Sequence, residues 1–209
     1  MSLMTSWGYT ITDADTLADM LTEDEYNEFT ANKYVSETDK VSRNISAASS
    51  AVRNYCNWHV WPSQACRFEA TFYDYRVTEV FDGILIQLPA KYVSAITSIT
   101  IGNAEHTTYV LEPNGVLRLY GVTWDGIYKH TPIVVEYTAG VPDALMDGLK
   151  ELVANRVTHA MASTSGVQSE TAGGVSITYN ATWANTSRAT ALADDNKEVL
   201  QAFRVQGVF

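Results

Sequence analysis

Cysteine is scarce in this chain, with Cys56 and Cys66 the two in 209 residues. A disulfide-stapled scaffold needs several pairs, so the expectation is two reduced, buried thiols in a chain made in the cytosol, with a Cys56 to Cys66 bridge as the alternative. A structural zinc site needs four paired ligands and His59 is the sole nearby addition, so no metal and no cofactor is expected. Basic residues are also scarce, 14 Lys and Arg against 24 Asp and Glu, for a net charge of -10. Gripping nucleic acid requires clustered cations that displace counterions, which excludes a phosphate-neutralising binder. An acidic surface repels phosphate and suits a conduit through which DNA slides, although solubility is the commoner reason for such a charge. No apolar run approaches the roughly 18 residues that span a bilayer, so no membrane partner is expected. The N-terminus has no basic segment leading into an apolar core, so no signal peptide is read. Met1-Ser2-Leu3 reads as a cloning remnant before Met4 as the natural start.

Catalytic signatures are missing as well. His59, His106, His130 and His159 stand in unrelated contexts, none near a Gly-x-Ser-x-Gly elbow. His159 has Glu151 two turns earlier, which is not the His-Glu-x-x-His pattern of a metalloprotease. Gly173-Gly174 lacks the preceding strand and following Lys of a phosphate loop. The acidic run Asp13, Asp15, Asp19, Glu23, Asp24, Glu25 and Glu28 supplies carboxylate pairs, but at solvent-facing helical positions with no apolar pocket to raise a pKa. It reads as a solvated or partner-facing surface, and the chain as no enzyme.

What is present is a pattern of helix, then strands, then helix. Thr12 or Asp13 is placed to cap a short helix, and Thr22 with Glu25 has the form of a capping box that starts another. From Ser36 or Asp39, Val41, Ile45, Ala48, Val52 and Tyr55 recur at three and four, amid small residues that let another helix approach. Trp58 and Trp61 then read as core or interface anchors, and His59 as a packed or surface imidazole. Cys66, Phe68, Ala70 and Phe72 alternate with polar residues as in a half-buried strand. Ile84 to Leu88, Ile96 to Ile101, Tyr109 to Leu111, Val116 to Tyr120 and Ile133 to Tyr137 follow, with a hairpin turn expected at Glu112-Pro-Asn-Gly115. Gly140, able to take a backbone conformation closed to other residues, and Pro142, which fits a helix's first turn, punctuate the switch to a helix over about 143–161, whose Leu145, Leu149, Leu152, Val153, Val157 and Ala160 form an apolar side. Residues 163–174 are too polar and glycine-rich to be folded by their own contacts, and lead into a short strand with Val175, Ile177 and Tyr179, suited to pair with a neighbouring chain. A helix over about 186–203 and an apolar tail close the chain. There is no internal repeat.

The fold class expected is α+β, a helical bundle with an inserted small antiparallel β-sheet or open barrel. It is organised as a single connector domain of residues 1–209, with a helical body 12–60 and 141–209 and a β insertion 66–138. The text Ala47-Ala-Ser-Ser-Ala-Val-Arg-Asn-Tyr-Cys56, then Leu88-Pro-Ala-Lys-Tyr-Val-Ser-Ala-Ile-Thr-Ser-Ile-Thr100, then Gly115-Val-Leu-Arg-Leu, then Val135-Glu-Tyr-Thr-Ala-Gly140, resembles the head-tail connector (adaptor) proteins of tailed bacteriophages and prophages. The resemblance covers roughly residues 38–209. It rests on order and character, not on an invariant chemical motif. It implies a virion neck protein, made in the bacterial host cytoplasm, that assembles as a ring of twelve beneath the portal. It further implies that the ring extends the DNA channel towards a stopper or tail-completion protein, with DNA passing unbound. By the same resemblance the C-terminal residues Phe203, Arg204, Val205, Val208 and Phe209 would face the portal. Val175, Ile177 and Tyr179 would form an inter-subunit arm. Two other classes compete. A β-sheet binding module of a virion, for carbohydrate or protein, would use Tyr120, Trp124 and Tyr128 as exposed platforms, and a hydrolase would show a cleft of convergent titratable groups.

Overall fold

The structure, a computed structural model, describes residues 2–12, 16–122, 130–162, 169–172, 175–178 and 194–205. The chain divides into two compact units. The first comprises Met1–Ala18, Cys56–Met146 and Gln201–Phe209, and the second Asp19–Tyr55 and Asp147–Leu200.

The first unit is built on two antiparallel sheets. Strands β1 (Leu3–Met4), β2 (Thr10–Ile11), β3 (Gln64–Ala70), β6 (Val93–Ile101), β7 (Ala104–Glu105) and β10 (Ile133–Ala139) form a six-stranded sheet in the order β1-β2-β3-β10-β6-β7. Strands β4 (Val77–Val80), β5 (Gly83–Gln87), β8 (Tyr109–Glu112) and β9 (Val116–Tyr120) form a four-stranded sheet in the order β4-β5-β9-β8. These are open sheets, not a barrel. The alternation read from the sequence is the alternation observed. Ile133, Val135, Tyr137 and Ala139 of β10 are buried, as are Cys66, Phe68 and Ala70 of β3, with Val135 opposite Phe68 on one side and Ile99 on the other. In the second sheet Ile84, Ile86, Leu117 and Leu119 supply the buried face.

The expected turn at Glu112-Pro-Asn-Gly115 joins β8 to β9, with both Asn114 (φ 63°) and Gly115 (φ 74°) in the left-handed region. Gly115 is also pressed against the chain, since a Cβ there would fall 2.0 Å from the Ala90 carbonyl oxygen. At the end of β10, Gly140 does not take the unusual backbone conformation expected of it. Its requirement is proximity, a Cβ at that position lying 2.4 Å from Ser63 Cα. The helix expected from residue 143 begins with a 3-10 turn at Asp143–Leu145, so Leu145 is exposed and not part of the helical apolar side.

In the second unit α1 (Glu23–Phe29) starts from the capping box anticipated at Thr22. The Thr22 hydroxyl accepts from the Glu25 N–H at 3.2 Å, and a Glu25 carboxylate oxygen accepts from the Thr22 N–H at 2.8 Å. Among the described residues the helix expected before it is absent. Residues 16–22 are irregular, Thr12 extends from β2 with its N–H on the Ala65 carbonyl, and Asp13 lies outside the described residues. Acidic and polar residues satisfied the cap pattern, but the apolar Tyr9 and Ile11 were claimed by the sheet. Helix α2 (Thr38–Cys56) buries Val41, Ile45, Ala48 and Val52 as its periodicity requires, and Asp39 sits in its first turn, not at its cap. Helix α3 (Asp147–Ala162) buries Leu149, Leu152, Val153, Ala154, Val157 and Met161, while Ala160 is exposed. Asn44 of α2 reaches the Met161 sulfur of α3 at 3.3 Å, and the Tyr26 hydroxyl lies 3.3 Å from that of Thr158, so the three helices share one core.

One later segment also differs from the reading of the sequence. Ser169–Ala172 (β11) pairs antiparallel with Val175–Thr178 (β12), so part of the glycine-rich stretch is a hairpin within its own chain. The last helix, α4, is described over Asp194–Gln201, and its expected first turns fall outside the described residues.

Candidate interaction surfaces

In the first unit, an unbroken series of ring contacts runs from the N-terminal strands to the C-terminal segment. Trp7 stacks near Tyr9 (6.3 Å between centroids), Tyr9 near His59 (5.9 Å), His59 against Trp58 (5.3 Å), Trp58 on Tyr92 (6.2 Å) and Tyr92 near Phe203 (6.0 Å). Trp58 and His59 are fully buried, so both readings as packed core residues hold. The His59 Nε2 lies 2.8 Å from the Ala139 carbonyl oxygen, which can only accept. In the neutral ring Nδ1 therefore takes the Tyr9 O–H at 2.7 Å, and the Tyr9 oxygen in turn accepts the His59 backbone N–H at 3.0 Å. Trp61 is half-buried, its indole N–H donating to Asp143 at 2.9 Å.

The same unit anchors the start of the tail. The Trp58 indole N–H donates to the Phe203 carbonyl at 2.7 Å, Lys91 Nζ donates to the Ala202 carbonyl, and the Val205 N–H donates to the Cys56 carbonyl at 3.0 Å. Phe203 and Val205 are thus half-buried on their own chain, and Arg204 is exposed. Val208 and Phe209 lie outside the described residues, as does Tyr179. Val175 and Ile177 are on β12. Of the three aromatic residues weighed as a ligand platform, Tyr120 is half-buried on β9, and Trp124 and Tyr128 lie outside the described residues.

Both cysteines are free and buried, and burial pushes each thiol up to about 12. The histidines are not gathered into one site. His106 Nε2 is 3.0 Å from the Thr108 carbonyl, and His130 packs against Tyr73. Among the described residues no cluster of His, Cys, Asp and Glu is placed to hold a metal ion, and no helix is long and apolar enough to cross a membrane.

One surface feature escaped the reading of the sequence. Phe81, at the tip of the β4–β5 hairpin, is fully exposed, while the next residue is held in place. Asp82 pairs with Arg118 at 3.5 Å, Arg118 binds Glu112 at 2.9 Å, and the Gly121 N–H donates to the Asp82 carbonyl. An aromatic ring raised on a fixed turn is suited to insert into another protein. The signal was the pattern Val-Phe-Asp-Gly, a large apolar residue inside a tight turn.

Among the described residues the chain thus offers an anchored C-terminal segment, hairpins and an exposed ring, features suited to contact between proteins. The chain belongs to the head completion protein family, whose model matches residues 19–192. It is accordingly a structural component of the virion. No curated protein matches the chain. Among solved structures it is similar to a chain of the neck of a native GTA particle computed with C12 symmetry, at 14% identity and a TM-score of 0.44, covering 93% of this chain and 97% of that one. It is also similar to a chain of the neck of an empty GTA particle computed with C6 symmetry, at 17% identity and a TM-score of 0.41, covering 79% and 81%.

Proposed function

We propose that this protein is a head-tail connector subunit that assembles, with eleven further copies, into a ring beneath the portal and extends the DNA channel towards a stopper or tail-completion protein. The observation that carries the reading is the family match over residues 19–192. Two features support it. The net charge of -10 suits a wall past which DNA slides, and the tail is anchored as far as Val205, which positions whatever follows for a partner. The work is structural and no reaction is performed.

Portal contact is assigned to Arg204, Val205, Val208 and Phe209. Phe203, the fifth candidate, serves chiefly as the anchor that aims them, because its ring and carbonyl are already engaged. Val175, Ile177 and Tyr179 contact a neighbouring copy. Negative-stain microscopy and light scattering of the pure protein, alone and mixed with its portal, test the ring. Closed rings on the portal are expected, and a protein that stays monomeric beside its portal overturns the reading. Removing residues 206–209 leaves the Val205 to Cys56 bond in place, so the truncated chain is expected to fold and to lose portal binding. Undiminished binding in a pull-down with portal removes the tail from the interface.

A further inference from the structure

Strand β6 is open along one side for most of its length. Strand β10 pairs with it from Val93 to Ile101, whereas on the opposite side β7 reaches Thr100 and Ile101 alone. Among the described residues the backbone of Val93 to Ser98 has no partner on that side. Such an edge is a ready template for another strand, and proteins usually guard it with charge or proline. This one reads Val-Ser-Ala-Ile-Thr-Ser, with neither. Its guards are two irregularities opposite β10, at Thr97 and Ser94, and Ser94, Ala95 and Thr97 are exposed. Elsewhere in the chain β11 and β12 form a two-stranded sheet that, among the described residues, pairs with no other strand. A lone hairpin of four residues per strand is marginal in water and needs a further strand or a cover. Strand β12, Val-Ser-Ile-Thr, carries no charge, and β11 carries one, on Glu170.

We propose that the β11–β12 hairpin of one copy adds to the open Val93–Ser98 edge of β6 in the next copy, extending the six-stranded sheet across the subunit boundary. The inference rests on the ring reading above and supplies the receiving surface for its arm. Backbone hydrogen bonds provide the attachment and the alternating side chains its register. Edge and hairpin are different surfaces, so the contact is head-to-tail and propagates around a ring. Joining two uncharged strands also avoids setting like charges against each other in copies that each carry -10.

The test is disulfide trapping in the full-length chain. Ala95→Cys or Thr97→Cys is combined with Ser176→Cys or Ile177→Cys, and equal amounts of isotopically labelled and unlabelled protein are assembled on portal and then oxidised. The native thiols are buried and remain silent. Circular dichroism of each variant checks that it folds. The expected result is a reducible ladder of multimers, absent from the single-cysteine controls, whose linked peptides join labelled to unlabelled chains. Rings that assemble without such links, or links confined to chains of one label, overturn the inference and leave the ring intact. Mixed-label links in open filaments uphold the pairing and remove the ring. Protein that neither links nor associates removes both.

Discussion

At the scale of single residues the stakes are highest where a polar group is buried. Tyr9 and His59 satisfy one another in a core that excludes water, and Tyr9→Phe strips an acceptor from the His59 N–H and a donor from Nδ1 at once. The expected loss is about 1–3 kcal/mol of stability, read from urea denaturation. The pair Glu25 and Lys150 is partly exposed and worth less. Its hydrogen bond from Lys150, followed by that from the Thr22 N–H, holds the Glu25 carboxyl below its ordinary 4.5. A depressed acid stabilises the fold fully above its unfolded value, and the contribution is lost as pH falls through the folded one. Lys150→Gln should therefore cost up to about 1 kcal/mol at neutral pH, discounted by solvent screening. The gap from the unmodified protein should close below pH 4.5, as thermal melts across pH would reveal. A gap that persists in acid would assign the effect to packing.

Among elements, those legible in advance had a period and a cap. Val41, Ile45, Ala48 and Val52 determine α2, the Thr22 to Glu25 box determines the start of α1, and alternation places β3, β9 and β10. The short strands β1, β2 and β7, two residues each, were not legible, because so few residues carry no period and their pairing partners are distant in sequence. The helix foreseen at Thr12 failed for the same reason, since tertiary pairing to β3 outweighs a local cap signal. Gly140 was singled out correctly for the wrong cause. Its backbone is ordinary, and the constraint is the adjacent Ser63. Gly140→Ala is accordingly expected to destabilise by about 1–3 kcal/mol through overpacking, measured by calorimetry. A neutral result would mean that the segment at Ser63 moves aside freely.

For the molecule as a whole, the structural virion role expected from the sequence is that of the family to which the chain belongs. The chain forms two units, one of Asp19–Tyr55 and Asp147–Leu200 that holds the helices α1 and α3, and one of Cys56–Met146 with the two larger sheets that also takes in Met1–Ala18 and Gln201–Phe209. The net charge of -10 leads to a further expectation, that the purified protein shows no salt-sensitive retention of double-stranded DNA in an electrophoretic shift. Retention that weakens steeply with salt would reveal a hidden basic stripe and contradict the picture of DNA passing unbound.

By itself the sequence determined the α+β class, the helical faces, the alternating strands and the acidic balance, because each depends on residue type at short spacing or on simple counts. Only tertiary structure decided that the strands divide into two sheets, that Trp58 and Cys56 hold Phe203 and Val205, and that one side of β6 stays open. Those outcomes depend on which distant segments win each other's backbone hydrogen bonds and apolar surface, a competition that spacing along the chain does not encode.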